Sequence, residues 1–241
     1  ASDILDGETY DARREEPGWD APGFDDSAWT AAAADPAPGD ALLVWQPNEP
    51  IRVVREIRPV RIFPSPAGDY VFDMGQNMVG WCRLRVRGPA GTLVTLRHVE
   101  AIDEQGYPYY NNLRKSPQMD QFILRGDGEE VFEPRFTYHG FRYVVASGLP
   151  APPDEGTLLG RVFHSSSPDA SRLETSSPLL NQLIANVMWT QRANLQSSPN
   201  DCPQRDERLG WTGDIQAFAQ TAIFNMDTVS YTHLRAHETP E

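Results

Sequence analysis

The sequence predicts a multidomain chain, mainly β over its first two thirds and α at its end, and three observations carry this. Its 241 residues include 21 prolines and 18 glycines, placed so that turn signals recur between short runs of β-branched and aromatic residues. After about residue 173 those runs stop, and apolar residues recur at helical instead of alternating spacing. A composition 39% hydrophobic and 10% aromatic, in a chain long enough to bury a core, is that of a globular protein.

Residues 1–48 carry "PGWDAPGFDDSAW", with Trp19, Phe24 and Trp29 set among Gly, Pro and Asp. Aromatics in a turn-rich frame suit the loops and edges of a β-sandwich, so 1–48 reads as the last part of an N-terminal β-sandwich domain. "DPAPGDALLVWQPNEP" supplies the Pro and Gly punctuation of a boundary. Residues 49–150 then carry "IRVVREIRPVRIF", "DYVFDMG", "CRLRVRG", "TLVTLRHVE", "DQFILRG" and "FRYVVASG", the strands of a second β-sandwich. Leu84 and Val86, with Leu93 and Thr95, alternate against Arg83, Arg85 and Arg87, which predicts a sheet with one wet face. Trp81, Phe136, Tyr138, Phe141 and Tyr143 are expected in or beside its core. Residues 151–172 form a linker with one more strand, "TLLGRVFHSS".

From 173 to 228 the pattern is helical. Ser176 or Ser177 suits an N-cap and Pro178 the first helical position, with Leu179, Leu180, Leu183, Ile184, Val187 and Met188 along one face. A second helix from about Thr212 presents Ile215, Phe218, Ala219, Ala222, Ile223 and Met226. Residues 201–211 therefore connect an αα-hairpin. The tail "VSYTHLRAHETPE", 229–241, breaks this pattern, and its first eleven residues resemble the translation of a transposon-based sequencing adaptor. It is expected to be non-native, with His233 and His237 playing no part.

The formal net charge of −13 argues against nucleic acid or an anionic membrane as partner, because both bind through clustered Lys and Arg. A neutral or cationic small ligand fits better. Cys82 and Cys202 stand too far apart for a Cys-x-x-Cys site, and no metal or cofactor is expected. His98, His139 and His164, isolated in β-segments, suit packing or strand-end hydrogen bonds. No apolar run approaches the roughly 20 residues of a membrane span. The N-terminus has no basic-then-apolar leader and reads like the interior of a domain, compatible with a cytoplasmic or a secreted protein.

One stretch concentrates chemistry: "DCPQRDERLGWTGD", residues 201–214. Neighbouring carboxylates raise one another's pKa while adjacent guanidinium groups keep others ionised, so a loop of this kind can supply a general acid. Glycoside hydrolysis needs such an acid beside the leaving oxygen and a second carboxylate to activate water or to attack. An indole offers an apolar face to a sugar ring, and carboxylates and Arg bind its hydroxyls. The same residues equally suit surface ion pairs, each contributing about 0–1 kcal/mol, with Asp214 serving the dipole of the following helix. Cys202 with Pro203 suits a buried, shape-setting pair.

"SSPNDCPQRDERLGWTGD", running on into "IQAFAQTAIFNMD", resembles the catalytic-domain signature of bacterial α-L-rhamnosidases of glycoside hydrolase family 78. "DMGQNMVGW" and "EPRFTYHGFRYV" resemble that family's concanavalin-like β-domain, and "GETYDARREEPGWDAPGFDDSAW" the end of its N-terminal β-sandwich. The resemblance implies a concanavalin-like β-sandwich followed by the first helical hairpin of a truncated (α/α)6, six-hairpin barrel. It puts the general acid at Glu207 and rhamnose-binding positions at Asp201, Arg205, Trp211 and Asp214. It also implies an inverting enzyme acting on rhamnose-containing glycosides, whose general base is a glutamate further downstream, so that this chain alone is expected to be inactive. Asp206 and Arg208 would tune the acid, form structural ion pairs or bind the ligand directly. Two alternatives remain: another (α/α)6 glycosidase with a similar acid loop, and a carbohydrate-binding β-module.

Overall fold

The computed structural model describes residues 1–33, 42–46 and 48–228. Part of the boundary stretch, 34–41 and Pro47, and the expected non-native tail with His233 and His237 lie outside the described residues. Strands β1 (Ser2–Asp3), β2 (Gly7–Asp11), β3 (Ile51–Ile57), β4 (Arg61–Pro64), β5 (Tyr70–Arg87), β6 (Leu93–Val99), β7 (Met119–Ile123), β8 (Glu129–Phe132), β9 (His139–Ser147) and β10 (Leu158–Ser165) build one sheet. Its path is β1-β2-β7-β6-β9-β5-β10-β3, with β4 and β8 also paired to β5.

The eighteen-residue β5 is the spine. Its first part pairs with β4 and β9 and its last part with β8 and β10, and the pairing with β9 shifts register between Asp73 and Met78. At Gly80 the backbone of β10 comes so close that a Cβ would lie 1.9 Å from the Arg161 carbonyl oxygen. Only glycine lets these strands close there. β2 pairs in parallel with β7, Thr9 opposite Gln121, so residues 7–11 extend the same sheet. The sheet wraps a core in which Phe72, Met74, Met78, Leu84, Leu96, Phe141 and Leu158 are almost wholly buried. The rings of Tyr10, Phe122 and Phe132 pack on one another and tie β2, β7 and β8 together.

The expected wet face of β5 holds, with Leu84 and Val86 buried between arginines that reach outward. β6 reverses the expectation. Its buried side chains are Val94, Leu96, His98 and, at its end, Val99, and Leu93 is 44% exposed; apolar residues occupy both alternating sets here, and a one-residue slip in reading swaps the faces. Phe136, expected near the core, is 74% exposed, standing outside the sheet in the turn before β9.

Helix α1 (Pro178–Ala193) starts as predicted, with the Ser177 hydroxyl accepting from the Leu180 N–H. The short strands β11 (Leu195–Gln196) and β12 (Ser198–Pro199) follow, and α2 spans Thr212–Asn225. Leu195, Ile215, Ala219, Ala222 and Met226 form a small core between the helices. Gln191 donates to the Ala222 carbonyl and accepts from Asn225. Trp189 packs α1 on the β core. The outer end of α1 keeps Leu179, Leu180 and Leu183 exposed, so the expected apolar face is only partly covered. Among the described residues no helix is long and apolar enough to cross a membrane.

Two predictions follow from this packing. Gly80→Ala is expected to lower stability by more than about 2 kcal/mol, read from the denaturant midpoint. The second concerns acid. Burial, aided by nearby His139, pushes His98 down to about 3, and burial lowers His164 as well. The unfolded chain therefore takes up these protons first, near the ordinary histidine value of about 6.5. Stability is complete above that pH and is lost as pH falls toward the folded values. Urea midpoints should fall progressively between about pH 6.5 and pH 4; a flat midpoint across that window contradicts a neutral, buried His98.

Candidate active site

Residues 201–209 fold into a loop closed at its neck, where the Asp201 N–H donates to the Leu209 carbonyl (3.0 Å) and the Leu209 N–H donates to Asp201 Oδ1 (2.9 Å). The inner side of the loop lies on the β-domain. Pro203 and Gln204 cover Gly140 of β9 so tightly that a Cβ there would meet them at 2.8 and 3.0 Å. This is the physical reason for a glycine after His139 in "TYHGF".

Arg208 points inward from the same loop. It is 8% exposed and adopts φ +56°, a left-handed conformation that is strained for any residue with a Cβ. Its guanidinium donates to the carbonyls of Ile4 (2.5 Å) and Tyr138 (2.6 Å) and to Gln118 Oε1 (3.1 Å), and it lies 4.7 Å from the centre of the Tyr138 ring. Burial lowers its pKa, while the Tyr138 side chain opposes that effect. Gln118 also donates through Nε2 to the Gln204 carbonyl, so its amide orientation is set and its oxygen must face Arg208 and His139.

That constraint carries into the core. His139 Nδ1 is 2.6 Å from Gln118 Oε1 and Nε2 is 3.0 Å from Asp120 Oδ2. The ring thus bridges the Gln118 amide oxygen and the Asp120 carboxylate. The His139 and Asp120 side chains are fully buried. Burial raises the Asp120 pKa, but His139 outweighs it and the net shift is downward. Asp120 Oδ1 also accepts the Glu8 N–H, and the His98 ring stacks on His139 at 4.1 Å. The expectation of packing and hydrogen bonding for these histidines matches this arrangement.

Glu207, adjacent to Arg208, faces the other way. Its Oε1 accepts from Trp211 Nε1 (3.0 Å), and its Oε2 meets Arg205 Nη2 and Arg114 Nη1, each at 2.9 Å. Arg205 also stands 3.9 Å from Asp201 Oδ2, so a guanidinium bridges the two carboxylates. Of the two electrostatic effects weighed in the sequence, pairing with arginine is the one that surrounds Glu207. Beside it opens a cavity of about 250 Å³ lined by Thr190, Gln191, Asn200, Asp201, Trp211 and Asp214, among others. The fold thus brings Asp201, Trp211 and Asp214 to one cavity and sets Arg205 and Glu207 next to it through the indole. Asp201 also closes the loop neck. Arg205 Nε and Asp206 Oδ1 are buried without a hydrogen-bond partner, a condition that a polar ligand would relieve. A larger cavity, about 930 Å³, lies along α1 between Leu183, Met188 and Phe224, and the "DCPQRDERLGWTGD" residues take no part in it.

Cys202 is buried with its thiol 3.3 Å from Asp201 Oδ2, and burial raises its pKa, which suits the shape-setting role. Two groups, His98 with Asp120 and His139, and Asp201 with Cys202 and Glu207, bring potential ligand atoms within 4.8 Å of one another. The bonds already described engage these groups, except that His98 Nε2 is buried without a partner. Sequence reasoning missed Arg114 and Gln118. Among the described residues the non-glycine positions with positive φ are Arg114, Gln118, Ser197 and Arg208; Arg208 belongs to this loop, and Arg114 and Gln118 bond to it. Such strain collects at functional sites, and nothing in the sequence announces it.

A β-domain leading into paired helices, with Glu207 held at their junction by an indole and two arginines beside a cavity, is an arrangement compatible with the glycoside hydrolase class. The comparisons with known proteins specify it. Residues 64–164 match the bacterial alpha-L-rhamnosidase concanavalin-like domain, 168–239 the bacterial alpha-L-rhamnosidase 6 hairpin glycosidase domain, and 1–55 the alpha-L-rhamnosidase N-terminal domain. The chain belongs to the bacterial α-L-rhamnosidase family. It is 47% identical over 231 residues to an alpha-L-rhamnosidase of Streptomyces avermitilis, covering 96% of this chain and 22% of the relative. It is 37% identical over 234 residues to one of Formosa agariphila, covering 95% and 25%. The crystal structure of the Streptomyces avermitilis alpha-L-rhamnosidase complexed with L-rhamnose superimposes with a TM-score of 0.92 at 46% identity, over 99% of this chain and 24% of that one. That of Dictyoglumus thermophilum does so with 0.91 at 41%, over 96% and 26%. The chain therefore spans about a quarter of the length of these relatives.

Arg208→Ala would take a donor from the Ile4 and Tyr138 carbonyls and from Gln118 Oε1. It is expected to lower stability by about 2–4 kcal/mol, and Arg208→Lys to recover only part, because an ammonium cannot reproduce the planar fork. Chemical denaturation of the three proteins reads this directly, and an Ala variant as stable as the parent would contradict the anchoring role.

Proposed function

We propose that this chain carries the acid-bearing part of an inverting α-L-rhamnosidase, with Glu207 as general acid and Asp201, Arg205, Trp211 and Asp214 as the shell for a terminal rhamnose. The observation that carries the proposal is the Glu207 carboxyl, held by the Trp211 indole and two arginines beside a cavity lined by Asp201, Trp211 and Asp214. The apolar face of an indole suits the C–H side of a sugar ring, and charged groups that already pair with one another still offer positions to neutral hydroxyls. The Streptomyces relative whose structure superimposes on this chain is described as complexed with L-rhamnose, which supports the same sugar here.

In this reading Glu207 passes its proton to the glycosidic oxygen as the bond to the anomeric carbon breaks. A general base takes a proton from a water that attacks the opposite face, about 6.5–9.5 Å from the acid. The family resemblance assigns that base to a glutamate of the six-hairpin barrel beyond residue 228. Replacing Glu207 by Gln in the full-length protein is expected to lower kcat on an aryl α-L-rhamnoside by about 10²–10⁴-fold. The loss should shrink for a strongly acidic phenol, which leaves without protonation. Full activity of the Gln variant on both substrates would remove Glu207 as the acid.

A further inference from the structure

We infer that Arg114, a residue of the β-domain, is a positioning residue for Glu207 and determines which of its oxygens gives up the proton. This rests on the reading of Glu207 as the general acid. The contact is direct: Arg114 Nη1 lies 2.9 Å from Glu207 Oε2, across 93 positions of sequence. The turn that presents Arg114 is rigid. Leu113, Ser116 and Gln118 are buried at 2%, 4% and 0%, the Ser116 N–H donates to the Leu113 carbonyl, and its hydroxyl donates to the Leu5 carbonyl. Between these anchors the backbone of Arg114 takes φ 55°, ψ −116°, outside the ordinary regions for a residue with a Cβ. A chain that holds a non-glycine residue in this conformation, with the side chain on a neighbouring loop's carboxylate, stores strain to place that guanidinium.

The geometry also distinguishes the two oxygens. Oε2 accepts from two cations, Arg114 and Arg205, whereas Oε1 accepts only the Trp211 N–H. A protonated carboxyl places its hydrogen on the oxygen with fewer donors aimed at it, so the transferable proton sits on Oε1, on the side of Trp211. When that proton moves to the glycosidic oxygen, the C–O electron pair goes to the leaving oxygen and the carboxylate keeps the negative charge. Arg114 and Arg205 then neutralise that charge. The other ionisable groups nearby are Asp201 and Cys202 on the same loop, both within 4.8 Å of Glu207, its neighbours Asp206, with a buried Oδ1, and Arg208, bonded to Ile4, Tyr138 and Gln118, and Asp214 at the cavity wall on α2. Arg205 is shared with Asp201, which leaves Arg114 as the cation whose ion pair is with Glu207 alone. It is also the more open partner, 51% exposed against 19% for Glu207, so it can be replaced without cutting into the core.

The test is the pH profile of kcat/KM for Arg114→Gln and Arg114→Lys in the full-length protein, on an aryl α-L-rhamnoside, beside the thermal midpoint of each. Removing a cation from beside a carboxyl favours its protonated form. Arg114→Gln should therefore move the alkaline limb up by about half a pH unit or more, with a lower kcat, a KM within about twofold and an unchanged thermal midpoint. Arg114→Lys should restore the parental limb. A Gln variant with the parental profile overturns the inference, and so does one that loses activity equally at every pH. If Glu207→Gln is inactive while Arg114→Gln matches the parent, this inference falls and the functional reading stands. If Glu207→Gln is fully active, both fall.

Discussion

The guanidinium of Arg208 is the contact on which the arrangement of this molecule depends. A buried cation must find acceptors or lose several kcal/mol to desolvation, and the acceptors here come from distant places: Ile4 at the start of the chain, Tyr138 before β9, and Gln118 before β7. Satisfying Arg208 therefore brings the N-terminal strands, the β-domain and the inter-helix loop into one geometry. The left-handed φ of Arg208 is the local cost, and it has a directional result. A turn that drives one side chain into the core sends its neighbour outward, and that neighbour is Glu207.

The base of this anchor is itself ionic. Gln118 can offer its oxygen to Arg208 only because its amide nitrogen is committed to Gln204, and the same oxygen meets His139, which closes on Asp120. The Arg208 guanidinium and the His139 ring thus flank one amide oxygen, with the buried Asp120 carboxylate beyond. The low dielectric that strengthens these bonds would make any one missing partner expensive. The loop therefore holds one position as long as the core is intact. Precision at Glu207 is inherited from packing around residues that never touch a ligand.

Much of the architecture was legible because it is local. Ser177 and Pro178 announce α1, the apolar spacing from Ile215 to Met226 announces α2, and the alternation of leucine, valine and arginine announces the last part of β5. The face of β6 was misread because Leu93 and Val94, and Thr95 and Leu96, give period two no contrast to work with. Phe136 was misplaced because a large apolar residue in a turn carries no sign of which way it points. In the site, Asp201, Trp211 and Asp214, singled out by the family resemblance, line one cavity. Arg114, Gln118 and the inward turn of Arg208 were invisible because each depends on a contact 70 to 93 positions away or on a backbone angle that no residue type demands.

The division of labour between the two parts of the chain explains an apparent conflict in its charge. A net charge of −13 works against gathering carboxylates, yet Asp201 and Glu207 stand together here, and the proposed role of Glu207 would leave it an anion after proton transfer. The loop alone supplies Arg205, which Asp201 also claims, and turns Arg208 away into the core. The cation that completes the environment of Glu207 arrives from the β-domain on a strained, well-anchored turn. A helical domain folded without its β-domain would keep Glu207 and lose both the anchor beneath it and one of the two cations beside it. The β-domain is therefore part of the site and not merely attached to it.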